Sequence, residues 1–225
     1  MQKLFQQFKL AKILSLLPLL LVVVVALWIA VVNIHPNSIY SGWDNIQAEF
    51  DLPRYARQVF FGAWVEHQGL GGPAAQGQSA EILRLPFIFL LKILLPANLI
   101  RYVFIFSMYL LGGIGMYFYL IKIWLGNKLG NFKNWLASLG AVFYLLHILT
   151  LQQFYISFEM FTIQFAFLPF LLLNLHSLIN KVSIKTVFSF ILLQFLMAPS
   201  AHTQTVFYLA VVFSLLYVFF VSFGL

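Results

Sequence analysis

Cysteine is absent from all 225 residues. Disulfides, thiolate catalysis and cysteine-held zinc are therefore excluded. Charge is scarce as well: 8% of residues are charged, 62% are hydrophobic, and the mean hydropathy is +0.94. A soluble domain carries roughly a quarter charged residues, so this chain cannot cover a water-facing surface. Its solvent is lipid. Acid is the scarcest charge, with six Asp and Glu against 13 Lys and Arg, for a net charge of +7. The lysines stand singly between apolar runs, the pattern of membrane-flanking charge rather than of a phosphate-tracking stripe. Nucleic acid is excluded as a partner on that ground. Among the five histidines there is no metal-ligand spacing such as HExxH. A divalent cation stays open as a cofactor, but no motif calls for one. The glycine-rich GLGGPAAQGQS (residues 69–79) follows no strand and matches neither a Walker A nor a dinucleotide fingerprint.

What is present is apolar sequence in lengths that cross a bilayer. Six spans fit the hydropathy: Ile13–Val32, Leu99–Leu125, Trp135–Leu149, Phe161–Ile179, Thr186–Met197 and Thr205–Phe223. The first is preceded by Lys3, Lys9 and Lys12 but is too long for a signal peptide's core, and no small-residue cleavage site follows. Pro86–Leu95 is too short to cross and reads as a juxtamembrane or re-entrant helix ended by Pro96. The predicted fold is an all-α polytopic bundle in a single membrane domain over 1–225. Its last apolar span runs to the final residues, the pattern of the N-terminal part of a longer protein. With alternating spans, Lys3, Lys9, Lys12, Lys122, Lys128, Lys133, Lys181 and Lys185 share one side. The positive-inside rule makes that side, and the N-terminus, cytoplasmic.

The six acids then fall on the other side. Asp44, Glu49, Asp51, Glu66 and Glu81 lie in the loop over 33–85, and Glu159 begins a span. The loop also carries Trp43, Tyr55, Phe60, Phe61 and Trp64, which argues for order. An amphipathic helix is expected near 53–68, with Pro53 in its first turn and Asp51 near its cap. Asp44, in SGWDNIQAEFD, has the chemistry of a general base on an acceptor hydroxyl, and its plain reading is a solvated acid. Glu49 is a second candidate. Arg54, Arg57, Arg84 and Arg101 share the acids' side, where guanidinium groups suit a lipid-linked phosphate. Snorkelling to headgroups or pairing with the loop acids is the competing reading.

The order of parts resembles the N-terminal half of a GT-C-fold membrane glycosyltransferase. The residues that carry the resemblance are SGWDNIQAEF in the loop, then LRLPFIFLLKILLP, LLGGIGMYFYLIKIWLG, ASLGAVFYLLHILT and FAFLPFLLL. They look most like the arabinofuranosyltransferase-like and YfhO-like branches of that superfamily. The resemblance implies a polyprenyl-phosphate sugar donor and a catalytic base in the first outer loop, the position of Asp44, with Glu49 second. With such a donor, Arg54, Arg57 or Arg84 is expected to hold the phosphate, and membrane lipid and a lipid-linked sugar are the expected partners. The chain lacks that superfamily's later spans and soluble domain. A lipid-linked sugar flippase and a non-catalytic assembly subunit are the alternatives.

Overall fold

The structure is a computed structural model that describes residues 2–35, 38–42, 48–62, 64–65, 71–73, 81–125, 130, 132–156 and 159–223. Among these the regular structure is helical, apart from a two-residue antiparallel ribbon that pairs Trp64 with Pro73 and Val65 with Gly72. Helix α1 spans Gln2–Val32. A short 3₁₀ turn, Ala48–Phe50, leads to α2, Leu52–Phe61. Helix α3 is Arg84–Leu94, and α4 is Ala97–Tyr119, continued by a π-helical turn over Leu120–Trp124. Then come α5 (Phe132–Leu146), α6 (Ile148–Tyr155) and α7 (Glu159–Asn180). Helix α8 is Ile184–Met197, followed by a 3₁₀ turn over Ala198–His202 and by α9, Gln204–Ser222.

Five helices are long and apolar enough to cross a membrane by themselves, and α5 with α6 form a sixth candidate bent by 49°. The chain is an all-helical multi-pass membrane protein. An ion pair decides how the bent pair is used. Arg101, in the first turns of α4, meets Glu159, the first residue of α7. The far end of α4 with its π-helical turn, Trp124, lies 23 residues beyond Arg101, about 35 Å of rise away from that meeting point. The α5–α6 pair therefore returns the chain to the end of the bundle where α4 begins, and it is the sixth candidate crossing among the described residues.

Helix α4 is the central element, flanked by α1, α5 and α7. Its glycines permit this. A Cβ on Gly112 would lie 2.4 Å from the Phe165 ring, and one on Gly115 2.6 Å from the Phe170 ring. Small residues that let helix backbones approach closely are the usual means of helix association in lipid, where no hydrophobic force acts between helices. Phe165 is stacked on Tyr144, with centroids 4.2 Å apart, and lies parallel to Tyr109 at 6.0 Å. At the periphery α9 buries none of its residues. Its phenylalanines and leucines are surface for lipid.

Backbone groups freed inside the bundle find side-chain partners, as a lipid solvent demands. Pro169 in α7 has no N–H for the carbonyl of Phe165 four residues earlier. The Tyr144 hydroxyl donates to that oxygen at 2.9 Å. The break at His147 withholds a helical partner from Leu145 O, and the Tyr109 hydroxyl donates to it at 2.8 Å. Near the end of α1, Asn33 Nδ2 donates to Ile29 O at 2.7 Å, and the Tyr102 hydroxyl donates to Ala30 O.

Two expectations are corrected. The amphipathic helix placed near 53–68 ends at Phe61, capped by Gly62, whose N–H donates to Gln58 O. A Cβ at Gly62 would lie 2.3 Å from that same oxygen, so the chain turns there and enters the short ribbon. The span placed at Trp135–Leu149 is a broken one, Phe132–Leu146 plus Ile148–Tyr155. The other spans and the short helix before Pro96 stand within a few residues of their expected bounds.

Candidate functional site

Five charged side chains meet in the interior where the first loop lies on the bundle. Glu49 comes from the 3₁₀ turn, Glu81 from the turn before α3, Arg84 from the start of α3, Arg101 from α4 and Glu159 from α7. Each is at most 6% exposed. Glu159 is the bridge: Oε2 lies 2.6 Å from Arg84 Nη1, and Oε1 lies 3.1 Å from Arg101 Nε. Glu81 Oε2 is 2.8 Å from the same Arg84 nitrogen, and Glu49 Oε1 is 3.2 Å from Arg101 Nε. Arg84 also lies over the Phe104 ring, 4.7 Å from its centroid, a placement that suits a planar cation. At the rim, exposed Lys92 donates to the backbone carbonyl of Glu49 at 3.4 Å.

Among the described residues three carboxyl groups thus face two guanidinium groups. Burial pushes the Glu49 carboxyl above its ordinary value, with Arg101 pulling it only part of the way back. Burial raises Glu81 too, against the pull of Arg84. For Arg84, burial acts to lower the guanidinium, but Glu159 and Glu81 outweigh it and hold it above its usual value. Breaking one partner out of a buried charged network is costly, because it strands the others without water. This network is accordingly a clamp that ties the loop to two spans.

The loop is pinned a second time. Tyr40 packs against Tyr102 and Phe106, with centroids 6.0 and 5.8 Å away. Its hydroxyl donates to the carbonyl of Phe154 at the end of α6. The flanks of the Asp44 segment are thus both fixed on the bundle, Tyr40 on one side and Ala48–Phe50 on the other. Asp44 itself lies outside the described residues, as does Glu66.

Glu49, the second candidate base, is buried and ion-paired with Arg101. Arg84 pairs with Glu81 and Glu159, and in the structure the pairing reading holds for it and for Arg101. Arg54 and Arg57 are exposed on α2, whose buried side is Leu52, Tyr55 and Val59. Asp51 caps this helix, accepting from Arg54 N at 3.1 Å. The Tyr55 hydroxyl is buried with no hydrogen-bond partner among the described residues. No three His, Asp or Glu side chains are grouped to hold a metal ion among the described residues.

The sequence reading passed over Glu159 as a site residue. Its signal was there: one acid opens a span in a chain with only six acids, and Arg101 sits in the first turns of another span. An ionisable residue in a membrane segment calls for a named partner.

Compared with known proteins, the chain matches no family model, no curated protein and no solved structure.

Proposed function

We propose that the chain is a GT-C-like membrane glycosyltransferase that moves a sugar from a polyprenyl-phosphate donor to an acceptor hydroxyl outside the cytoplasmic membrane. The observation that supports it is the docked first loop. A buried ion network and the Tyr40 anchor hold the two flanks of the Asp44 segment against the ends of α4, α6 and α7. A reaction at the lipid surface needs its base held at a fixed height, and a loop clamped to three spans supplies that. In this reading Asp44 takes the proton from the acceptor hydroxyl as its oxygen bonds to the sugar's anomeric carbon and the bond from that carbon to the phosphate oxygen breaks, releasing polyprenyl phosphate. The donor phosphate falls to Arg54 and Arg57, one turn apart on the exposed side of α2. Arg84 and Glu49 position the loop and touch no substrate.

The test is transfer of sugar from a polyprenyl-phosphate donor by the protein in liposomes. Asp44→Asn is expected to lower turnover by about 10²-fold or more, the usual worth of a general base. Unchanged turnover in a normally inserted protein removes Asp44 from the mechanism.

One observation favours a second reading, a flippase for the same class of lipid. A cleft of about 540 Å³ lies between α7, α8 and α9, apolar except for Gln164, Gln194, Ser200 and Ser214. Movement of labelled lipid between leaflets without sugar transfer would select that reading.

A further inference from the structure

The cleft of about 540 Å³ between α7, α8 and α9 opens sideways onto lipid, since Phe207, Val211 and Leu215 both line it and are exposed. No charged side chain lines it. Its two hydroxyls are spent on the protein's own oxygens. Ser214 donates to Ala210 O at 2.7 Å, and Ser200 is divided between Met197 O at 2.6 Å and Gln164 Oε1 at 2.9 Å. The amide nitrogens are not spent. Gln164 Nε2 and the whole Gln194 amide have no hydrogen-bond partner among the described residues. Neither is sealed in. Both side chains line the cleft, Gln194 is exposed, and neither nitrogen is among the fully buried atoms.

An amide without partners is costly in lipid, where no water reaches it. Gln194 has no route to the surface. It stands 10 residues beyond Ile184 and 7 before Ala201, the ends of its span, which is about 15 Å and about 10 Å along the axis. That is the middle of a hydrocarbon core about 30 Å thick. Two amide nitrogens carry four N–H groups between them, so the cleft is short of acceptors. Depth and charge narrow the class of ligand that supplies them. An ionised group at that depth costs several kcal/mol and finds no countercharge here. The carbonyls of phospholipids stay with their headgroups at the edge of the core. A quinone brings uncharged carbonyl oxygens to the middle of the bilayer, on a flat apolar ring that suits Phe190 and Phe207 of the lining.

We propose that this cleft binds an isoprenoid quinone, whose carbonyl oxygens accept from the Gln164 and Gln194 amides while its ring and the start of its tail lie on the apolar lining. The site is independent of the transferase reading. It gives the cleft a neutral occupant where the flippase reading gives it a charged one.

The experiment is retention of added lipid by the whole protein in nanodiscs, read by native mass spectrometry. The probes are a naphthoquinone with an isoprenoid tail and the same tail on a naphthalene that lacks both carbonyls. The intact protein is expected to retain the quinone about tenfold better, the worth of one or two hydrogen bonds. Gln194→Leu is expected to remove most of that preference. Ala210→Phe, which fills the cleft from α9, is expected to reduce retention of both probes. Equal retention of the two probes by the intact protein overturns the proposal. So does an Ala210→Phe protein that unfolds at the same temperature and retains the quinone as before. A preference for polyprenyl phosphate over the quinone overturns it in favour of the flippase reading. If neither variant folds, the comparison of the two probes on the intact protein still decides.

Discussion

Glu81 and Glu159 are both buried glutamates bound to Arg84, yet their removal should have opposite effects. Glu159 serves two arginines, one through each oxygen. Glutamine there leaves Glu81 for Arg84 and Glu49 for Arg101 but removes the one carboxylate that both arginines share, so the link between α3, α4 and α7 is cut and on the order of 3 kcal/mol of stability should be lost. Glu81 serves only Arg84, as Glu49 serves only Arg101, and it is an outer member of a network that has one carboxylate more than guanidinium groups among the described residues. Glu81→Gln keeps a hydrogen-bond acceptor near Arg84 and balances the network, so stability should hold or rise. Thermal unfolding in detergent micelles checks both, and an equal loss for the two variants would refute the bridging role of Glu159. Burial sets the pH response. Burial raises Glu49 and Glu81 above their ordinary value of 4.5, so the folded form binds protons more readily than the unfolded one. Stability should therefore fall as pH rises from 4.5 through the raised values, and recover on acidification. The usual carboxylate, held low by its partner, behaves the other way. Glu81→Gln should flatten the profile, which a pH series of unfolding temperatures would record.

Helix α7 shows how an element keeps a proline in lipid. Pro169 releases the carbonyl of Phe165, and Tyr144 on α5 takes it. Tyr144→Phe should cost on the order of 1 kcal/mol, the measured scale for such bonds between membrane helices. Pro169→Ala restores an N–H to Phe165 O, so Tyr144→Phe should cost less in that background. A double-mutant cycle by unfolding in micelles reads this coupling directly, and strict additivity would mean that the hydroxyl serves another purpose. The proline and the tyrosine were each visible in the sequence, but their pairing was not. It depends on the register of α5 against α7, which an apolar pattern leaves open. The break at His147 was hidden for a related reason. The segment AVFYLLHILT (residues 141–150) reads as one uninterrupted apolar run, and nothing local marks the bend. The end of α2 was legible in principle through Gly62, a plain stop signal. The aromatic residues beyond it made a longer helix look continuous.

For the whole molecule, the spans were legible because lipid imposes length and composition on every crossing. The charged network was not legible, because its members lie as far apart as Glu49 and Glu159. A lone arginine near a span end reads equally as a snorkelling side chain. The candidate base Asp44 came from resemblance, while its clamp came only from the fold. What the fold adds at this scale is the count of crossings, and the absence of cysteine makes that count easy to test. Single cysteines can be placed at four exposed positions without background labelling: Phe61, Phe132, Ile156 and Val182, which are 79, 61, 42 and 74% exposed. If the bent α5–α6 pair is one crossing, Phe61→Cys and Ile156→Cys label together from one side with an impermeant thiol reagent. Phe132→Cys and Val182→Cys then label together from the other. If the pair instead dips in and returns to the side it left, Phe132→Cys and Ile156→Cys share a side. Such a result would also separate the start of α7 from the start of α4 by the width of the bilayer. The Arg101–Glu159 pair could not then form, so one labelling experiment tests the topology and the clamp together.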